Sequence, residues 1–370
     1  MLNQYKIKNY NFKLVFLVSL LTVLGIMVIG SANPSVQSKQ IFGFVVGLVI
    51  MVVVSLLDYQ ELLNSSFIYY FVGCALLLLV KFLGYSSKGA QRWFALGPVK
   101  IQPSELAKIV IIVFFAAYLN KYSEKINERD RLLKTLAIVA VPLFLIVSQP
   151  DLSTTIVTAF IFVSLLFIAG LSYKIIVRVL AVIVPAFIVA VILVITNVID
   201  LLHGYQMERI SAWLYPDAPQ NVDKARQQVN SIMAIGSGQM FGKGLNNTDA
   251  ASLNNTHYIS ESHTDFIFSV IGEELGFVGS VVVIILLACI VYQCIKIGMK
   301  ARDLSGQLIC YGMASWIAFQ SFVNICVTTG LMPNTGLTLP FVSYGLTSLL
   351  SLFIGIGLVL NVGLQCKKYY

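Results

Sequence analysis

Ten apolar windows dominate this 370-residue chain, at 12–32, 40–57, 66–84, 104–120, 133–148, 152–171, 175–199, 265–291, 307–329 and 340–364. Several approach the ~20 residues that a helix needs to cross a hydrocarbon layer. Inside that layer every backbone N–H and C=O must find its partner within the protein, which restricts spanning segments to helices or closed barrels. With 58% hydrophobic residues and 11% charged ones, the chain lacks the polar surface of a soluble domain this long. The fold class expected is all-α: a polytopic membrane protein with about ten transmembrane helices. The pair 133–148 and 152–171 is joined only by a tight turn at Pro150-Asp151.

Lys6, Lys8 and Lys13 precede an apolar stretch, 14–30, longer than a usual signal-peptide core, so it reads as a first anchor; Ser31-Ala32 leaves cleavage open. Placing the N-terminus in the cytoplasm puts most Lys and Arg of the short connections on the inner side, among them Lys121, Arg129, Lys174, Lys296 and Lys367. Both ends are then cytoplasmic. The outer basic residues, Arg92, Lys100, Arg209 and Lys243 among them, fall almost wholly in two loops, 85–103 and 200–264. A loop of this length amid short connections is functional or disordered. Apolar residues at helical spacing in 205–215 and 225–235 predict short helices at the outer interface, within a large extracellular loop. The net charge of +8 has no basic run interleaved with aromatics, so no nucleic-acid partner is indicated. The six cysteines lie in or beside apolar runs without C-x-x-C spacing and read as small hydrophobes.

Four stretches carry chemistry-bearing residues. HTDFIFSVIGEELG (263–276) places Asp265 at the rim of an apolar helix and Glu273-Glu274 well inside it. Asp265 reads either as a helix N-cap or as an acid at the top of a groove. Ser269, Gly272, Gly276 and Gly279 share its face and let another helix approach closely. The two glutamates call for internal ion pairs or hydrogen bonds, because intramembrane carboxylates are costly. GAQRWFALGPVKIQPSELAK (89–108) offers Arg92, Lys100 and Lys108 as cations, with Glu105 three residues before Lys108. It reads as an amphipathic loop, anchored by Trp93 and Phe94 and followed by an intrahelical salt bridge, or as a pyrophosphate site. In SQPDLSTT (148–155) Asp151 caps the next helix. In PNTGLTLPFVSYGLTS (333–348) Pro340 and Gly345 interrupt a helix near Ser343, Tyr344 and Ser348. GSGQMFGKG (236–244) looks like a phosphate loop but lacks its spacing and a preceding strand.

In this order, the four stretches and AIGSGQMFGKGL (234–245) resemble the SEDS family (shape, elongation, division and sporulation), the RodA/FtsW/SpoVE proteins of bacteria. The resemblance implies one transmembrane domain over 1–370, with the loop 200–264 inside it. It also implies a peptidoglycan glycosyltransferase that polymerises lipid II on the outer leaflet of the cytoplasmic membrane and releases undecaprenyl pyrophosphate. The implied partner is a class B penicillin-binding protein that performs the cross-linking, along with other elongation or division complex proteins.

By the same resemblance, the presumed catalytic aspartate falls on Asp265, the cavity acid and lysine on Glu105 and Lys108, and the acid of Q-P-D on Asp151. His263, Thr264 and Ser343, with Arg92 and Lys100, complete the expected substrate-binding set. Asp265 would act as general base, while Arg92, Lys108 or a divalent cation such as Mg or Mn offsets the charge of the departing pyrophosphate. Two positions depart from the family pattern: Ser260 stands where proline is usual, and Leu346 where a second glycine is usual. Leu-Thr-Leu-Pro at 337–340 leans toward the division branch, and the branch stays open. A lipid II flippase and a non-catalytic assembly scaffold are the alternative readings.

Overall fold

The computed structural model describes residues 10–87, 90–96, 99–179, 204–246 and 262–365, with positions 181, 185 and 189. It begins with α1 (Phe12–Ala32) and α2 (Pro34–Leu56), then the short α3 (Tyr59–Asn64) and α4 (Ser66–Leu83). After a small sheet come α5 (Pro103–Tyr122), α6 (Arg129–Val147) and α7 (Leu152–Ile168). The long loop contributes α8 (Gly204–Leu214) and α9 (Val222–Ser237), and α10 (Ile267–Met299), α11 (Leu304–Thr328) and α12 (Leu346–Leu364) complete the bundle.

Among the described residues seven helices are long and apolar enough to cross a membrane: α1, α2, α4, α5, α10, α11 and α12. α7 is a shorter apolar helix. α6 begins with Arg129, Asp130 and Arg131 in its first turn. The expected span 175–199 lies mostly outside the described residues. Among the described residues, seven of the ten expected spans are thus matched by crossing-length apolar helices, α7 is shorter and α6 carries more charge.

Burial orders the bundle. The apolar windows of α5 and α12 are each 78% buried and that of α11 is 67%, against 28% for α2, α4 and α10. A helix that is apolar all round belongs in the middle, and α5, α11 and α12 form that centre. Trp316, Phe114, Phe115, Phe341 and Phe353 are fully buried there. α2 lies close along α12 because Gly43 and Gly47 make room for Leu346 and Phe353.

Two expectations are corrected. Residues 85–101 are not an amphipathic loop but a three-stranded antiparallel sheet, with β1 (Tyr85–Ser87), β2 (Ala90–Leu96) and β3 (Val99–Ile101) in that order. Phe94 pairs with Ile101, and Leu96 with Val99. The last expected span is also shorter: residues 331–345 are non-helical, Phe341 has a φ of +65°, and α12 starts only at Leu346. Pro340 and Gly345 thus bound an irregular segment in front of the helix.

α10 is broken. Gly276 has φ +67° and ψ −164°, a conformation closed to residues with a Cβ. Its two halves are joined through the glycine-rich turn of the long loop. Phe277 and Val278 N–H donate to the Gln239 and Met240 carbonyls, at 2.8 and 3.1 Å. The Glu273 and Glu274 carbonyls accept from Lys243 and Gly244 N–H, each at 2.9 Å. The break thus finds partners for groups that a helix end leaves orphaned. Lys243 Nζ also pairs with Glu273 at 2.9 Å, and Ser31 Oγ donates to Glu274. The buried glutamates therefore have the internal partners expected of them, and GSGQMFGKG is a structural insert.

Candidate active site

Asp265 is not the helix cap. The cap position of α10 belongs to Phe266, and Asp265 lies in the turn 262–266 just before it. The carbonyls of three successive residues in that turn are each held from another segment. Tyr344 N–H donates to His263 O at 2.9 Å, and Ser343 Oγ donates to Thr264 O at 2.6 Å. Asn324 Nδ2 donates to Asp265 O at 2.8 Å and to Leu337 O at 2.6 Å. Ser343 Oγ also accepts from Leu339 N–H at 2.7 Å. The His263 ring stands 5.8 Å from that of Tyr344. Asp265, half-buried, is thereby held through its main chain.

The segment 330–348 gathers the other motifs. From the 89–108 stretch, Gln102 N–H donates to Thr347 Oγ1 at 3.3 Å, and that hydroxyl donates to Lys100 O at 3.0 Å. From the Q-P-D stretch, Ser153 Oγ donates to Thr335 O. From α8, Arg209 Nη1 donates to Asn334 O at 3.2 Å and Trp213 Nε1 to Gly330 O at 2.8 Å. α9 joins through Gln228, whose amide donates to Val327 O and Met332 O at 2.8 and 2.7 Å. The short helices of the long loop were expected at an interface; these contacts dock them on the end of α11.

The expected cations are engaged differently from one another. Arg92 clamps the α6–α7 turn: Nε donates to Gln149 O at 3.0 Å, Nη2 to Pro150 O, and Nη1 lies 3.7 Å from Asp151 Oδ1. Asp151 caps α7 through Thr154 N–H at 3.2 Å and accepts from Gln102 Nε2 at 3.3 Å. Lys100 is exposed, its ammonium 5.5 Å from the Tyr85 ring centroid. Lys108 is 0% exposed; it donates to Glu105 at 2.7 Å and Gln320 at 3.0 Å, and lies over the Trp316 ring at 4.5 Å. Gln320 passes the network on, its amide donating to Thr338 O at 2.9 Å.

Because the second Glu105 oxygen is buried without a partner, the pair has little slack. Lys108→Met is expected to destabilise by about 3–5 kcal/mol, as for other broken buried ion pairs. Thermal unfolding in detergent checks this, and Glu105→Leu added to Lys108→Met is expected to recover most of the loss.

Sequence reasoning passed over three residues here. Gln320 and Asn324 are amides four apart in an apolar span, and their cost in hydrocarbon was the available signal. Arg209 had no local signal. A Cβ built on Gly336, whose φ is +74°, would stand 3.4 Å from Asp265 Oδ2 and 3.7 Å from Arg209 Nη1. Carboxylate and guanidinium thus close on one backbone turn. Among the described residues no three His, Cys, Asp or Glu side chains cluster as a metal site would require. Ser260 lies outside the described residues, and Leu346 opens α12 with its side chain against Gly43.

Comparison with known proteins follows the same architecture. A family model described as "Cell cycle protein", for FtsW, RodA and SpoVE, matches residues 5–368. The probable peptidoglycan glycosyltransferase FtsW of Buchnera aphidicola subsp. Baizongia pistaciae is 31% identical, covering 99% of this chain and 97% of the relative. That of Pseudoalteromonas translucida is 38% identical over 80% of this chain and 72% of the relative. A solved peptidoglycan synthase complex, described for its coordination of polymerization and crosslinking, contains a chain with TM-score 0.79 and 31% identity. That match covers 96% of this chain and 97% of the other. The rod shape determining protein RodA of Thermus thermophilus matches with TM-score 0.71 and 29% identity, over 96% of each chain. With a family match over nearly its whole length, this multi-pass chain belongs to the FtsW, RodA and SpoVE family.

Proposed function

We propose that this chain is a peptidoglycan glycosyltransferase that joins lipid II units into glycan strands at the outer face of the cytoplasmic membrane. In this reading both termini are cytoplasmic and the long loop and Asp265 face outward. The observation that carries it is the registration of Asp265: three consecutive carbonyls, 263 to 265, are held by Tyr344, Ser343 and Asn324. Such fixing suits a base that must meet a hydroxyl in one geometry.

The Asp265 carboxylate takes the proton of the GlcNAc 4-hydroxyl of lipid II. The oxygen forms a bond to the anomeric carbon of the lipid-linked strand with inversion. The bond from that carbon to the phosphate oxygen breaks, and its electron pair leaves with undecaprenyl pyrophosphate. His263, Thr264 and Ser343 hold the base in register. Glu105 and Lys108 are tied through Gln320 to Thr338, Arg92 and Asp151 hold the turn between α6 and α7, and Lys100 is exposed.

The partner proposed is a class B penicillin-binding protein, in keeping with the polymerization and crosslinking of the synthase complex that the chain resembles. The purified chain, supplied with labelled lipid II with and without such a partner, is expected to yield glycan polymer. Leaflet exchange without polymer would instead support a flippase, and neither product a scaffold.

Ser343→Ala removes one hydrogen bond to Thr264 O and leaves Leu339 N–H unpartnered. It is expected to cost about 1–3 kcal/mol in thermal unfolding. Polymerisation is expected to fall by roughly tenfold to a hundredfold as the base loses part of its registration.

A further inference from the structure

We propose that Arg209 binds the pyrophosphate of the lipid-linked donor and offsets the charge that builds on it as the glycosidic bond breaks. The inference deepens the reading of Asp265 as general base and rests on it. Of the cations that the motifs nominate, Lys108 is sealed from solvent against Glu105, Gln320 and Trp316. Arg92 is turned to the carbonyls of Gln149 and Pro150 and to Asp151. Lys100 lies over Tyr85. Arg209, from outside those motifs, has its guanidinium near the Asp265 carboxylate: both come within 4.0 Å of the point that a Cβ on Gly336 would occupy.

That proximity suits an in-line displacement. The base touches the attacking oxygen, and the leaving phosphate oxygen lies on the far side of the anomeric carbon, a few ångströms away. A cation meant for the leaving group must therefore be a near neighbour of the base without displacing it. A side chain at 336 would touch both groups, and the glycine leaves that space clear. Arg209 Nη1 donates to Asn334 O at 3.2 Å, which ties the guanidinium to the 330–348 segment. Its fork of N–H donors matches two phosphate oxygens better than a point charge does. The 200–264 loop, hydrogen-bonded to α11 through Trp213, Gln228 and Ser231, thus carries a reacting-centre residue.

The test is equilibrium binding of a short-chain polyprenyl pyrophosphate to the full-length protein in detergent, alongside lipid II polymerisation. Arg209→Gln is expected to weaken binding at least tenfold and to lower kcat by roughly a hundredfold, the scale of losing one charge-stabilising donor. Arg209→Lys is expected to bind at least threefold more weakly than the wild type and to recover part of the turnover lost in Arg209→Gln. Asp265→Asn is expected to bind the pyrophosphate as well as the wild type or better, since a like charge has gone.

Wild-type affinity in a folded Arg209→Gln overturns the proposal. If that variant does not fold, unchanged affinity in Arg209→Lys overturns it. Polymerisation by Asp265→Asn would sink the base assignment alone, because the binding arm does not depend on it.

Discussion

Asp265→Asn is expected to silence polymerisation while leaving the protein folded. The carboxamide is nearly isosteric, and the main-chain bonds from Tyr344, Ser343 and Asn324 to residues 263–265 do not involve the carboxylate. What is lost is the capacity to accept a proton, and general-base assistance is worth about 10² to 10⁴ in rate. The measurement is glycan formation from labelled lipid II by protein with wild-type thermal stability. Turnover within a few-fold of wild type would remove Asp265 from the mechanism.

Gly276→Val is expected to yield no recoverable folded protein. At φ +67° and ψ −164° a β-branched residue is badly strained. Strain is the smaller part of the problem. A Cβ at Gly276 would lie 2.3 Å from Gly242 N and 2.8 Å from Met240 O, so it strikes main chain that cannot rotate away. The turn would be pushed off the helix break, uncoupling the bonds from Phe277, Val278, Lys243 and Gly244 together and leaving buried backbone groups without partners. Gly236→Ala is the matched control. Nothing lies within 4 Å of its Cβ position, and in helix α9 an alanine is neutral or stabilising by up to ~1 kcal/mol. Detergent extraction followed by size-exclusion chromatography distinguishes the pair. A monodisperse, active Gly276→Val would show that the insert does not hold the helix.

The spans were legible because burying an unpaired backbone in hydrocarbon leaves few options, and α1, α4 and α11 fall almost where the apolar windows do. The partners of the four motif stretches were not legible, because they are set by distant approaches. Asp265 looked like a cap from its neighbours alone; the turn it occupies exists because residues 324, 343 and 344 bind its carbonyls. The small stripe through Gly272 and Gly276 is a place of close approach, but not for the helix expected there. Its occupant is a loop, with Gly238 and Gly242 pressed against the carbonyls of Gly272 and Glu274. The sheet at 85–101 escaped notice because two of its strands have only three residues, too few for a period to register.

As one rod, the 33 residues of α10 would measure roughly 50 Å, well beyond a hydrocarbon layer of about 30 Å. Past Gly276, the remaining stretch of roughly 34 Å suffices to cross by itself. The span across the bilayer is thus set by that stretch alone, while the short segment that follows Asp265 is tied to neighbouring chain.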